Sequence, residues 1–119
     1  MSIINYFKDR IEATYSPMDY LNASKNAPED FVLVDVRNAP PHLKKVKIKG
    51  ALEIPLSELE IRLSELSRDK VIVVYCWDVW CNMAAHAAVI LLEKGYKTKE
   101  LIGGIAAWQS MNLPTEQLV

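Results

Sequence analysis

Short continuous apolar runs alternate along this chain with stretches of helical periodicity. Phe31-Val32-Leu33-Val34-Asp35-Val36 and Val71-Ile72-Val73-Val74-Tyr75 are β-branched runs of strand length. Such runs suit strands covered on both faces, as in a parallel sheet. Ala51–Ile54 and Thr98–Ile102 are weaker strand candidates. Ser16 stands ahead of Pro17, a capping residue followed by a proline suited to a first helical turn, which predicts a short helix over 17–25. After Pro55, Ser57 and Glu60 have the spacing of a capping box and predict a helix to about Leu66. The longest helix is predicted over Asn82–Lys94, with Gly95 as its left-handed cap. Its Ala84, Ala87, Ala88 and Leu91 form a stripe of mostly small side chains that lets a helix lie close on a sheet. A last helix around Ile105–Met111 follows the Gly103-Gly104 turn. Strands separated by helices predict an α/β domain with right-handed crossovers.

Composition narrows this picture. With 119 residues, 50% of them hydrophobic and 24% charged, the chain is long enough for one core and too short for two, so a single domain over 1–119 is expected. Fourteen basic against fifteen acidic residues leave a formal charge of −1, which points to neither nucleic acid nor an anionic membrane. No apolar run approaches the roughly 20 residues that span a bilayer. The start, Met1 to Phe7, has no basic region and no long apolar core, so no secretory signal is expected. Two cysteines, Cys76 and Cys81, are too few for a secreted disulfide framework, and a reduced cytoplasmic setting is expected. Repeats and low-complexity segments are absent from the sequence.

The candidate chemistry gathers at one place. Ligands of open α/β sheets sit beyond the carboxyl ends of the strands. The run Val71–Tyr75 leads directly into Cys76-Trp77-Asp78-Val79-Trp80-Cys81 and then into the long helix from Asn82. A loop so placed can wrap its N–H groups inward as an anion-binding nest, and the helix start adds partial positive charge. A lowered pKa and partial thiolate character are expected for Cys76.

The order of several short motifs carries a resemblance. Asp35-Val36-Arg37, Ile48-Lys49-Gly50-Ala51 with Ile54-Pro55, Val73-Val74-Tyr75-Cys76, Gly95-Tyr96, and Leu101-Ile102-Gly103-Gly104-Ile105 with Trp108 follow one another as in rhodanese-like domains. The resemblance runs from about Ser16 to Pro114. It implies a rhodanese-like α/β fold, a central mostly parallel sheet with helices on both faces. It also implies a sulfurtransferase in which Cys76 carries sulfane sulfur as a persulfide, with the amides of Trp77, Asp78, Val79, Trp80, Cys81 and Asn82 as its cradle. The six-residue loop has the length of the sulfur-transfer members, whereas the related phosphatases and arsenate reductases use a longer one. Many members have glycine and arginine at the fourth and sixth loop positions; Val79 and Cys81 stand there instead. The loop therefore resembles a Cys-Trp-x-x-x-Cys-Asn subtype without a side-chain cation. Val46-Lys47 replaces a usual glycine-histidine pair.

The remaining candidates are weighed against plainer roles. Cys76 as an inert buried cysteine is the alternative to the nucleophile. Cys81 is a candidate resolving thiol if the two Cα atoms come within about 7 Å, and otherwise simply starts the helix. That leaves two rivals to sulfur transfer: a dithiol redox protein using Cys76 and Cys81, and a non-catalytic interaction module. Asp35 and Arg37 are candidate supporting residues, Asp35 holding backbone donors and Arg37 pairing with a carboxylate or supplying the missing cation. Trp77 and Trp80 either cover the core or wall a pocket or partner site, and Trp108 belongs to the core. His86 is expected to face solvent, His42 to lie on a surface loop, and Lys44, Lys45, Lys47 and Lys49 to form a solvated face. No metal site and no cofactor are expected, and the expected partners are a small sulfur donor and acceptor or a protein persulfide.

Overall fold

The computed structural model describes residues 2–118; the end residues Met1 and Val119 of the expected 1–119 domain lie outside them. Its elements in order are α1 (Ile3–Ala13), β1 (Thr14–Tyr15), α2 (Pro17–Asn26), β2 (Phe31–Asp35), β3 (Val46–Ile48), β4 (Leu52–Glu53), β5 (Val71–Tyr75), α3 (Met83–Glu93), β6 (Lys97–Leu101), α4 (Gly104–Ser110) and β7 (Thr115–Gln117). Five strands form a sheet in the order β1-β6-β5-β2-β4, every neighbouring pair parallel. β3 and β7 pair antiparallel as a separate small ribbon.

The two β-branched runs become the central strands, and their alternation assigns each side chain to a layer. Val34, Val36, Ile72 and Val74 face Ala84, Ala87 and Leu91 of α3 together with Leu59 and Leu66. Leu33, Val73 and Tyr75 face Tyr20 of α2 and Ile105 and Trp108 of α4. Helices thus cover both faces of a parallel sheet, the expected α/β architecture. Each helix has a local cause. Ser16 Oγ accepts the Asp19 N–H at 3.1 Å with Pro17 in the first turn. At the far end of α3, Gly95 takes φ +87° and Tyr96 N–H returns to the Leu91 carbonyl, the bond that closes a Schellman motif. The alanines of α3 are what let it approach the sheet.

Two expectations change. The helix expected from Ser57 is a pair of 3₁₀ segments, Leu56–Glu58 and Glu60–Glu65. Ser57 does not cap a helix: its N–H and Oγ both donate to Asn38 Oδ1, at 3.1 and 3.2 Å. The tighter three-residue turn serves instead to bury Leu59 and Leu66. The lysine stretch is not a uniformly solvated face. Lys44 is 7% exposed and pairs with Glu53 at 2.9 Å, and Lys47 donates to the Ala51 carbonyl at 2.7 Å.

α1 goes beyond the sequence reading. Ser2 caps it by accepting the Asn5 N–H, none of its residues is buried, and Ile4, Phe7 and Ile11 are exposed along it. It leads into β1, which pairs with the carboxyl end of β6 through Thr14↔Glu100 and Tyr15↔Leu101. This connection sets α1 at the same end of the sheet as Cys76. Among the described residues no helix is long and apolar enough to cross a membrane.

Candidate active site

Cys76 follows the last residue of β5 and is 3% exposed. Its Sγ accepts the Ala84 N–H of the first turn of α3 at 3.4 Å, and its thiol donates to the Cys81 carbonyl at 3.4 Å. The loop between them closes on itself: Cys81 N–H donates to the Asp78 carbonyl at 3.0 Å, and Val79 N–H to Asp78 Oδ1 at 2.6 Å. Two of the amides expected in the cradle, those of Val79 and Cys81, are therefore committed elsewhere. Trp77 and Ala84 are the amides that favour an anionic sulfur.

The expectation of a lowered thiol pKa is corrected. Burial, reinforced by the contact with Cys81, pushes the Cys76 thiol up to about 12, against the weaker pull of the Ala84 and Trp77 amides. Removal from water penalises the charged form more than two amides reward it. In this closed loop the resting group is a thiol.

The loop is anchored from behind by α4. Ile105 and Ala106 donate their N–H groups to the Cys76 and Trp77 carbonyls, both at 3.0 Å. Free N–H groups at a helix start thus hold the backbone of the site. This approach requires Gly104: a Cβ there would lie 2.4 Å from the Cys76 carbonyl oxygen, and the residue sits at φ +57°. The Gly103-Gly104 pair is the sequence trace of that contact.

Asp35 and Arg37 form a buried network on the other side of Trp77. Arg37, 1% exposed, donates from its guanidinium to both Asp35 oxygens, at 2.6 to 3.1 Å, and to the Val46 carbonyl at 2.7 Å. Asp35 also accepts the Arg37 N–H at 3.1 Å and the Tyr75 hydroxyl at 2.9 Å, while Tyr75 Oη accepts the Ile48 N–H. Burial works against the Arg37 charge, but the bonds and charge of Asp35 outweigh it and hold the guanidinium protonated. Arg37 stacks on Trp77, its guanidinium carbon 4.5 Å from the ring centroid. It ties β3 to the sheet and is not among the residues facing the Cys76 cavity.

That cavity, about 330 Å³, opens beside Cys76 between the loop, α3 and the carboxyl end of β6. A second groove of about 560 Å³ lies across Trp77 and includes Trp80, which is 71% exposed, with Leu43, Lys45 and Val46. Asp78 borders both. Trp77 packs against both halves of the core, and Trp108 is buried with its indole N–H on the Pro114 carbonyl. His86 and His42 are exposed. Among the described residues no group of three or more His, Cys, Asp and Glu side chains is placed to hold a metal ion.

The sequence profile of the rhodanese-like domain matches residues 17–111. The chain belongs to the rhodanese-like domain family. It is similar to a protein named sulfurtransferase from Allochromatium vinosum, 36% identical over 87 residues, which are 72% of this chain and 78% of that one. It is also similar to the HTH-type transcriptional regulator Rv0324 of Mycobacterium tuberculosis, 39% identical over 90 residues. There the match is 74% of this chain but 38% of the regulator, so this chain spans well under half of that relative's length. A solved full-length protein from Lactobacillus plantarum superimposes with a TM-score of 0.89 at 35% identity, covering 97% of this chain and 96% of that one. That overlap takes in α1, which precedes the family match.

Set within this rhodanese-like domain, several contributors to the site were not in the sequence reading. Ala84 is the amide donor at Sγ. Tyr6 and Arg10 come from α1, and Glu100 from β6, to line the Cys76 cavity. The sequence signal for α1 was available in Ser2 as a cap and in the helical spacing of Ile4, Phe7 and Ile11. Nothing local pairs Arg10 with Cys76.

Proposed function

We propose that this rhodanese-like domain is a sulfurtransferase that carries sulfane sulfur as a persulfide on Cys76 by double displacement. The observation that carries the reading is the Cys76 sulfur at the carboxyl end of the central strand, held by the first-turn amide of α3 and bordering a cavity. The likeness to a protein named sulfurtransferase supports it. In the first step the Cys76 sulfur bonds to the outer sulfur of a persulfide donor and the donor's S–S bond breaks. With Cys76 resting as a thiol, its proton passes to the departing sulfur: a donor persulfide anion and a thiol become a donor thiol and the Cys76 persulfide anion. The Ala84 and Trp77 amides hold that anion. An acceptor thiol then takes the outer sulfur and its proton passes to the departing Cys76 sulfur, which leaves the acceptor as a persulfide anion and Cys76 as the thiol it was before. One S–S bond forms for each that breaks, so no oxidant is required, and ping-pong kinetics follow. A reduced, cytoplasmic setting belongs to this proposal, in keeping with two free cysteines.

A second reading, a dithiol redox protein, is favoured by the nearness of the two cysteines: besides the bond from the Cys76 thiol to the Cys81 carbonyl, the Cys81 side chain acts on that thiol. Intact mass after exposure to a persulfide donor separates the two. A gain of one sulfur atom, absent in Cys76→Ser, is the expected result. A loss of two hydrogen atoms, absent in both Cys76→Ser and Cys81→Ser, would replace sulfur carriage by disulfide formation. No change in either direction would leave the interaction module as the surviving reading.

A further inference from the structure

The charges around the Cys76 cavity select among sulfur donors. Arg10 brings one cation, and Asp78 and Glu100 bring two carboxylates. Asp78 is engaged by the Val79 N–H, whereas Arg10 and Glu100 form no ion pair among the described residues. Glu100 is half-buried, and burial raises its pKa. A carboxylate withdrawn from water without a partner is costly to keep and gains from a cation that arrives with a ligand. Arg10 and Tyr6 are one helical turn apart on α1, with Thr14 a further turn on, so one face of the helix turns toward the sulfur. A small dianion such as thiosulfate would meet one cation and two carboxylates here. A zwitterion would meet a partner for each of its charges. The cavity volume, about 330 Å³, lies near the low end of the roughly 300–1,000 Å³ usual for ligand pockets and suits a ligand of amino-acid size.

We propose that the donor at this site is a zwitterionic α-amino-acid persulfide, its carboxylate bound by Arg10, its ammonium by Glu100, and its outer sulfur directed at Cys76. This assignment rests on the sulfur-carrier reading. Arg10 then supplies, from a helix outside the family match, the cation that the loop lacks at Cys81. The arrangement orients the donor so that its terminal sulfur meets Sγ; the bond changes are those of the first displacement above, with the amino-acid thiol as the product that leaves.

The test measures the rate at which Cys76 gains sulfur, by intact mass, from three persulfides and from thiosulfate. The persulfides are those of cysteine, of cysteamine (no carboxylate) and of 3-mercaptopropionate (no ammonium). For the intact chain, cysteine persulfide should load faster than either truncated donor and faster than thiosulfate. Arg10→Ala should slow loading from cysteine persulfide about tenfold to a hundredfold, the worth of a hydrogen-bonded charge. That loss should shrink sharply with cysteamine persulfide, which has no carboxylate to lose. Glu100→Gln should show the mirror pattern, a loss with cysteine persulfide that shrinks with the 3-mercaptopropionate donor, and faster loading from thiosulfate. A purely structural role for either residue would slow all donors alike, and that result overturns the proposal. Equal loading from all three persulfides in the intact chain also overturns it while leaving sulfur carriage intact. If no donor loads Cys76, sulfur carriage itself fails and this assignment falls with it.

Discussion

Arg37 and Arg10 both border the Cys76–Cys81 loop, and the fold uses them in opposite ways. Arg37 is enclosed, bonded to both oxygens of Asp35 and to a backbone carbonyl, and stacked on Trp77. Its charge is spent within the protein. Arg10 stands on a helix with no buried residue and faces the cavity of Cys76 without an ion-pair partner among the described residues. The first holds a ribbon to a sheet, and the second is free to meet something that comes from outside. A cation's place in the sequence near a motif, as with Arg37 beside Asp35, says less about its work than whether its bonds are already made.

Stability measurements break this comparison most directly. Arg37→Ala leaves Asp35 buried without its counter-charge, and a loss of about 3–5 kcal/mol is expected in urea unfolding. Arg10→Ala should change stability by less than about 0.5 kcal/mol, as surface positions do. Similar losses for the two variants would mean that Arg10 is also structural. A smaller effect is expected at the rear of the loop. Gly104→Ala forces a Cβ against the Cys76 carbonyl at positive φ. A backbone cost of about 1–3 kcal/mol is expected, together with slower sulfur loading because the Cys76 backbone must shift. Unchanged loading would show that α4 does not position the sulfur. The smallest signal is a null shift. The alkylation rate of Cys76 should be low at neutral pH and rise through the alkaline range toward about 12, since burial favours the neutral thiol. Arg10→Ala should leave that profile in place, because the amides and burial around Cys76 set it; a displaced midpoint would bring Arg10 into the thiol's own electrostatics.

Much of the fold was readable from local pattern. Val71–Tyr75 and Phe31–Asp35 are strands because valine and isoleucine, stiff at their branched Cβ, favour extended backbone, and both runs are apolar enough to be covered on both faces of the sheet. α2 begins where Ser16 and Pro17 place its cap, and α3 ends where Gly95 takes the left-handed conformation. The segment after Pro55 was misread because Ser57 had a better partner, Asn38, 19 residues earlier in the chain. β3 and β7 escaped notice for a related reason: each is three residues long and exists only through the other. In the site, the motif order located the Cys76–Cys81 loop, but the direction of the thiol's pKa shift was misjudged. A nest and a helix start are visible as sequence, whereas the number of water molecules excluded from a sulfur is not.

The sequence by itself determined which stretches become strands and helices, and that a cysteine stands where the central strand ends and a helix begins. These are consequences of side-chain shape and hydrogen bonding over a few neighbouring residues. Tertiary structure alone decided the strand order, the burial that keeps Cys76 protonated, the glycine that lets α4 grip the loop, and the arrival of Arg10 and Glu100 beside the same sulfur. Each of those depends on which groups displace water from which others, and that is settled only when segments far apart in the chain pack together.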